Sequence, residues 1–231
     1  MIQLAKLSKK YDDNLVLYVE ELIINKGEHF GLVGNNGAGK TTLFSLLLDL
    51  IQASSGMVTI NEINVAKSEQ WKKEVAAFID DTFLIDYLTP EEYFAFIAQL
   101  RKVDKATLQD FLAQFASFFN GEILDQKKYL RDFSKGNQKK VGLAAAFIGN
   151  PSIVILDEPF ANLDPSSQIR LKSFLASEAN KDKTLLISSH DLNHVTDVCE
   201  RIVLLEKGKL IKDTPKSAKT LKELEAYFSE Q

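Results

Sequence analysis

Residues 34–41 read Gly-Asn-Asn-Gly-Ala-Gly-Lys-Thr, so every fixed position of the pattern GxxxxGK[ST] is filled. The chemistry such residues can do is phosphate binding. Glycines let successive backbone N–H groups curl around an anion, and Lys40 adds a mobile positive charge. Thr41 offers a hydroxyl to Mg²⁺, and a helix opening at Thr42 points the positive end of its dipole at the same anion. A second group lies far along the chain, in Ile153-Val154-Ile155-Leu156-Asp157-Glu158. Here an apolar strand would deliver Asp157 at its carboxyl end to hold Mg²⁺ through water. Glu158 then points another way and can take a proton from an attacking water. Apolar strands ending in Asp-Glu are common, and only the glycine loop in the same domain makes this pair informative. His190 follows the run Leu185–Ser188, where it either starts a helix bonded to backbone or reaches a γ-phosphate as a hydrogen-bond donor. His29, His194 and Trp71 have no comparable setting, and Cys199 reads as a small buried residue.

These groups need elements to hold them. Phe30–Val33 reads as a buried strand and Thr42–Leu50 as a helix, the strand–loop–helix setting a phosphate loop requires. Ahead of them Ile2, Leu4 and Leu7 alternate before a Lys-Lys-Tyr-Asp-Asp turn, and Val16, Tyr18 and Leu22 suggest a second β segment. Residues 57–65 look like a hairpin around Asn61-Glu62. From about 85 to 150 the pattern turns helical. Thr89 is placed as an N-cap with Pro90 at the first helical position and a Glu at the third. Leu108, Phe111, Leu112, Phe115, Phe118 and Phe119 form one apolar stripe, read as core packing rather than a docking face. After Pro151 strands and helices alternate again: Ile153–Leu156, a helix opened by Asp164-Pro165, Thr184–Ser188, a helix over Asp191–Cys199, and Ile202–Leu205. Leu221, Leu224, Tyr227 and Phe228 suggest an amphipathic terminal helix. The alternation implies right-handed crossovers and a largely parallel sheet.

Composition narrows the classes further. The 231 residues are 45% apolar, enough for a core without metal or disulfide staples. A formal charge of −4 disfavours non-specific binding to nucleic acid or anionic membrane. One cysteine excludes a disulfide framework and fits a reducing compartment. The first residues read as a strand rather than a signal peptide, and no apolar run approaches a membrane span, so direct membrane insertion is not expected.

The order of the glycine loop, Phe133-Ser134-Lys135-Gly136-Asn137-Gln138, the ILDEP at 155–159, Asn162-Leu163-Asp164 and His190 resembles the nucleotide-binding domain of ABC transporters along nearly the whole chain. The resemblance implies an α/β fold. It would be a RecA-like P-loop NTPase core with an N-terminal antiparallel β subdomain (1–84 and 151–231) and an inserted helical subdomain (85–150). It implies MgATP as the ligand, with Asn35, Asn36, Gly37, Ala38, Gly39, Lys40, Thr41 and Thr42 around the phosphates. Thr41 and Asp157 would hold the metal, Glu158 would be the catalytic carboxylate and His190 the γ-phosphate sensor. Tyr11 would stack on adenine, although as a residue it could equally be a surface turn. Ser134 and Gly136 would contact ATP held by a second protomer, at the start of a helix running to Phe147, and Asp164 would lie in the loop crossing to that protomer. The implied partners are a second ABC ATPase, identical or not, and separately encoded membrane-spanning subunits that hold the chain at the cytoplasmic face of the membrane. No nucleic acid is implied.

Two departures stand out. The usual Leu-Ser-Gly-Gly-Gln signature is Phe-Ser-Lys-Gly-Asn here, similar to variants in bacterial exporters of the ABC-2 type. The glutamine expected after the strand Val75–Ile79 is replaced by Asp80-Asp81, of which Asp80 is the candidate metal ligand and a solvated turn the alternative. Two other functions remain open on sequence: a soluble ABC ATPase driving assembly or remodelling, and a nucleotide-binding regulator, against which Glu158 and His190 speak.

Overall fold

The alternation of Ile2, Leu4 and Leu7 becomes strand β1 (Ile2–Tyr11), which turns through Asp12 and Asp13 into β2 (Asn14–Ile24). The computed structural model describes residues 1–179, 182–217 and 220–229. Next come β3 (His29–Val33), α1 (Lys40–Leu47), β4 (Ser55–Ile60), β5 (Ile63–Asn64) and β6 (Val75–Phe78). The β4–β5 turn is Asn61-Glu62 with φ of 48° and 67°, the mirror-image conformation that matches strand twist in two-residue hairpins. Then follow α2 (Pro90–Leu100), α3 (Lys105–Gln114), α4 (Ala116–Phe119) and α5 (Lys135–Ala145). The rest is β7 (Ile153–Leu156), α6 (Pro165–Ala179), β8 (Thr184–Ser189), α7 (Leu192–Val198), β9 (Arg201–Glu206), β10 (Lys209–Pro215) and α8 (Thr220–Ser229).

Among the described residues the strands form one ten-stranded sheet in the order β5-β4-β1-β2-β10-β9-β3-β8-β7-β6. From β9 to β6 all neighbours are parallel, with β3 between β9 and β8. The β5-β4-β1-β2 end is antiparallel, as is the β9–β10 hairpin, and β10 meets β2 through the single pair Lys209–Tyr18. The parallel strands are buried on both faces, which is why they read as apolar runs rather than alternations. Alternate residues serve different cores. Phe30, Leu32, Ile153, Ile155, Leu186, Val203 and Leu205 pack with Leu43, Phe44 and Leu47 of α1. Val33, Val154, Leu156, Leu185, Ile187, Ile202 and Leu204 pack on the other face with the phenylalanines of the helices.

The Thr89 cap forms as its sequence predicts: its hydroxyl accepts from Glu92 N while the Glu92 carboxylate accepts from Thr89 N. The aromatic stripe is core, with Phe115 stacked on Phe119 and tilted against Phe174 at 4.6 Å between ring centres. It is not one helix, however, because α3 ends at Gln114 and α4 begins afresh at Ala116. The glycine-loop helix differs from its expected span of Thr42–Leu50. It starts at Lys40 because Gly39, at φ 108°, is its N-cap, and it stops at Leu47 before Asp49 turns left-handed. Helix α5 ends at Ala145, and tighter turns carry the chain through Phe147. In α8, Leu224 is fully buried; the side chain of Phe228 lies outside the described residues.

Candidate active site

The chain leaves β3 at Val33 and enters the 34–39 loop between two fixed walls. A side chain at Gly34 would meet the Leu205 carbonyl oxygen at 2.3 Å, so β9 presses directly on the loop. One turn on, the Gly208 N–H donates to the Ala38 carbonyl and fixes the loop against the β9–β10 turn. Asn35, Asn36, Gly37 and Ala38 line a cavity of about 450 Å³ together with Glu206 and Lys207. Thr41 and Thr42 lie in the first turn of α1, so the loop ends on free helical N–H groups.

Lys40 is buried, 6% exposed, and its ammonium donates to the carbonyls of Gly34 and Asn35 at 2.6 and 3.3 Å. The same nitrogen sits 3.1 Å from Glu158 Oε1. Parallel pairing of β3, β8 and β7 places the ends of these strands side by side, which brings Asp157, Glu158, Ser188 and His190 to the loop. Asp157, 4% exposed, accepts hydrogen bonds from the hydroxyls of Thr41 and Ser188. Burial nevertheless pushes its carboxyl above the usual range, with the hydroxyls opposing. Glu158 Oε2 is 2.9 Å from His190 Nδ1, so His190 is tied to the carboxylate beside the loop.

The oxygen-only pair Thr41–Asp157 suits Mg²⁺, a hard cation usually held by one or two protein oxygens, substrate phosphates and waters. Among the described residues no cluster of three or more His, Cys, Asp or Glu side chains could hold a metal alone.

Other candidates lie elsewhere. Tyr11 ends β1 half-exposed, with the Lys9 ammonium 4.8 Å above its ring. Ser134 is the N-cap of α5, its hydroxyl accepting from Asn137 N at 3.3 Å. Gly136 lies where a side chain would strike the Asn162 carbonyl oxygen at 2.6 Å, which docks α5 on the loop that leads to Asp164. Asp164 caps α6, and the hydroxyls of Ser166 and Ser167 hold its carboxyl well below the ordinary range. Asp80 caps a single tight turn by accepting from Thr82 N at 2.8 Å, a bond that lowers its pKa. Asp81 leans toward α5, with Oδ2 3.7 Å from Lys135 Nζ and Oδ1 buried without a hydrogen-bond partner. His29 is buried against the Val198 carbonyl, and His194 lies tilted against the Phe160 ring.

Two contributors carry no motif in the sequence. Ser188 Oγ bonds Asp157 and also accepts from Glu158 N at 2.9 Å. Lys139 Nζ donates to the Glu158 carbonyl at 2.9 Å. The Ser-Ser pair ahead of His190 is a faint signal for the first; spacing offers none for the second.

Among the described residues no helix is long and apolar enough to cross a membrane. The sequence profile of the ABC transporter family matches residues 20–161. An uncharacterised ABC transporter ATP-binding protein of Synechocystis is 35% identical over 82% of this chain, which spans only 54% of that relative. The bacitracin transport ATP-binding protein BcrA of Enterococcus faecalis is 30% identical over 92% of the chain and 68% of its own length. The solved structure of an ATP-binding subunit of an ABC transporter superposes with a TM-score of 0.84 at 26% identity, covering 99% of this chain and 93% of the other.

Proposed function

Since the chain belongs to the ABC transporter family, we propose that it binds and hydrolyses ATP to power a membrane transporter. The observation that carries this reading is the single network joining Lys40, Glu158 and His190 beside the Thr41–Asp157 pair, at the mouth of the glycine loop. The loop N–H groups and Lys40 bind the phosphates, for which Lys40 leaves the Gly34 and Asn35 carbonyls. That movement also frees Glu158 Oε1 to accept the proton of the water that displaces ADP from the γ-phosphoryl group, giving ADP and phosphate. Glu158 Oε2 keeps its bond to His190, which holds the carboxylate in aim. Mg²⁺, held by Thr41 and Asp157, would neutralise charge on the transferring phosphoryl group.

In this reading Tyr11 stacks on adenine, and Ser134 and Gly136 reach the ATP of a second ATPase subunit from the start of α5. Asp164 holds the neighbouring loop in shape for that contact. Residues 1–84 and 151–231 act as the nucleotide-binding core and 85–150 as the arm that presents α5. A second observation favours transport over soluble assembly work. An apolar cavity of about 340 Å³ opens between β6 and α2, bordered by Leu50, Phe83 and Leu100, all of them exposed. It suits an apolar segment of a separate membrane-spanning subunit, which would keep the chain at the cytoplasmic face of the membrane. The test is MgATP turnover by the purified chain and by Lys40→Ala. We expect slow, metal-dependent hydrolysis that the substitution abolishes together with most ATP binding. Undiminished ATP binding by Lys40→Ala would refute the site.

A further inference from the structure

Glu158 has a backbone φ of +47°, in the left-handed region that residues other than glycine adopt uncommonly. Both polar groups of its backbone are gripped by side chains from other elements. Its N–H donates to Ser188 Oγ of β8 at 2.9 Å. Its carbonyl accepts from Lys139 Nζ of α5 at 2.9 Å, and also from Ala161 N at 3.2 Å. The twist at this residue aims the carboxylate at Lys40 and His190.

Lys139 is an unusual residue for such a grip, being only 7% exposed. Burial lowers its pKa, and the carboxylates of Asp81, Glu158, Asp157 and Asp80, in that order, oppose the shift. That acidic company has a topological cause. β6 and β7 are paired with Phe78 opposite Leu156, so the Asp80-Asp81 and Asp157-Glu158 pairs emerge from adjacent strand ends. Lys139 is the cation that α5 delivers among them, while Lys135, one turn earlier, reaches Asp81 from the solvent side.

We propose that Lys139 is a positioning residue for hydrolysis, holding the Glu158 backbone from α5 so that the aim of the catalytic carboxylate depends on how that helix is seated. The inference rests on the hydrolytic reading above. The start of α5 carries Ser134 and Gly136, which that reading assigns to the partner's nucleotide. Lys139 follows on the same helix and touches the chain's own Glu158. Engagement of one nucleotide by the start of α5 is thus transmitted, through one rigid helix and one hydrogen bond, to the carboxylate that serves the other.

The test compares Lys139→Met, which keeps most of the length but has no donor, with Lys139→Gln, of similar reach to Met, which keeps a donor without charge. Lys139→Met should lower kcat about 10- to 100-fold, the cost of a slightly misaimed catalytic group. Its KM for ATP should stay within about twofold of the parent, since the interaction serves the transition state rather than binding. Lys139→Gln should recover part of the lost kcat. Parental kcat in Lys139→Met overturns the proposal. So does a fall in kcat accompanied by weaker ATP binding and a lower Tm that Lys139→Gln does not relieve, because that pattern marks a purely structural lysine. Glu158→Gln run alongside separates the two layers. If turnover is indifferent to Glu158→Gln, the assignment of Glu158 as the base fails first and takes this inference with it. If only the Lys139 variants are indifferent, the inference fails alone.

Discussion

Asp157→Asn should make the nucleotide-free protein more stable while removing its metal-dependent activity. The carboxylate is desolvated at the end of β7, with two hydroxyl hydrogen bonds as its direct support. Burying an ion costs several kcal/mol after relaxation, and hydrogen bonds to a charged group return about 1.5–3 kcal/mol each. The upward pKa shift has burial as its largest cause, and burial together with the adjacent Glu158 charge outweighs the Ser188 and Thr41 hydroxyls and the nearby Lys40. An asparagine of the same shape avoids the ionic cost and retains two ordinary bonds of about 1 kcal/mol each, the Thr41 hydroxyl reversing to accept. The net gain should be on the order of 1 kcal/mol, which for a chain of this size is a rise in Tm of about 2–4 °C. The pH dependence fixes the sign independently. A carboxyl whose pKa is raised by folding binds protons more readily folded than unfolded, so its burden is fully present above the folded pKa. It disappears as pH falls through that value toward the ordinary carboxyl range. The advantage of Asp157→Asn should therefore be largest near neutral pH and shrink on acidification. The assay is thermal unfolding without nucleotide, followed by titration with MgATP, which should stabilise the parent far more than the variant. A variant less stable than the parent at pH 7.5 without nucleotide would refute the reasoning, because the hydroxyl bonds would then exceed the cost of burial.

Glu158→Gln should keep ATP binding and lose about 10²- to 10⁴-fold in kcat, since the amide cannot accept the water's proton; single-turnover hydrolysis checks it, and near-parental turnover would move the base elsewhere. Asp80→Gln should leave the Mg²⁺ concentration for half-maximal turnover unchanged, because the Asp80 carboxylate serves its own turn. A several-fold rise in that concentration would restore Asp80 as a ligand. His29 is buried with Nε2 unpartnered, and burial lowers its pKa despite Glu200 and Glu178 nearby. The unfolded chain then takes up the proton first, so stability from this site is full above about pH 6.5 and falls as pH drops below it. The Tm difference between the parent and His29→Gln, measured from pH 8 to 5, should move against the parent on acidification; a constant difference would show that His29 stays out of the balance.

What the sequence reveals about this site divides by the range of the interaction. The 34–41 loop is legible because all its chemistry is local, and Asp157-Glu158 because two adjacent carboxylates close an apolar strand in the same domain as that loop. Ser188 and Lys139 stay hidden since their bonds to Asp157 and Glu158 cross 31 and 19 residues and depend on which strands and helices become neighbours. The order of the parallel strands is equally silent in the sequence, for β3, β7, β8 and β9 are all short runs of the same apolar character. Local breakers rather than periodicity decide the helix ends. Gly39 starts α1 two residues before the expected Thr42, and the left-handed Asp49 follows its early end. Asp80-Asp81, two identical residues, part company only in three dimensions, one turned into its own backbone and the other toward α5.

The central place of β3 has a consequence for how the chain is made. Its two sheet neighbours, β8 and β9, lie at 184–189 and 201–206, so both edges of residues 29–33 await partners synthesised long afterwards. The β1–β2 hairpin and its β4 neighbour can form from nearby sequence as soon as they emerge. A ribosome that has reached residue 180 has therefore released an apolar strand, and the phosphate loop attached to it, with both edges open. Such a strand is a template for pairing with other chains. Long-range parallel closure is also the slow kind, so the exposure lasts. Growing chains of this protein are the form in which holdase chaperones should find it, and fragments ending before β8 should aggregate through β3 rather than persist as a nucleotide-binding piece.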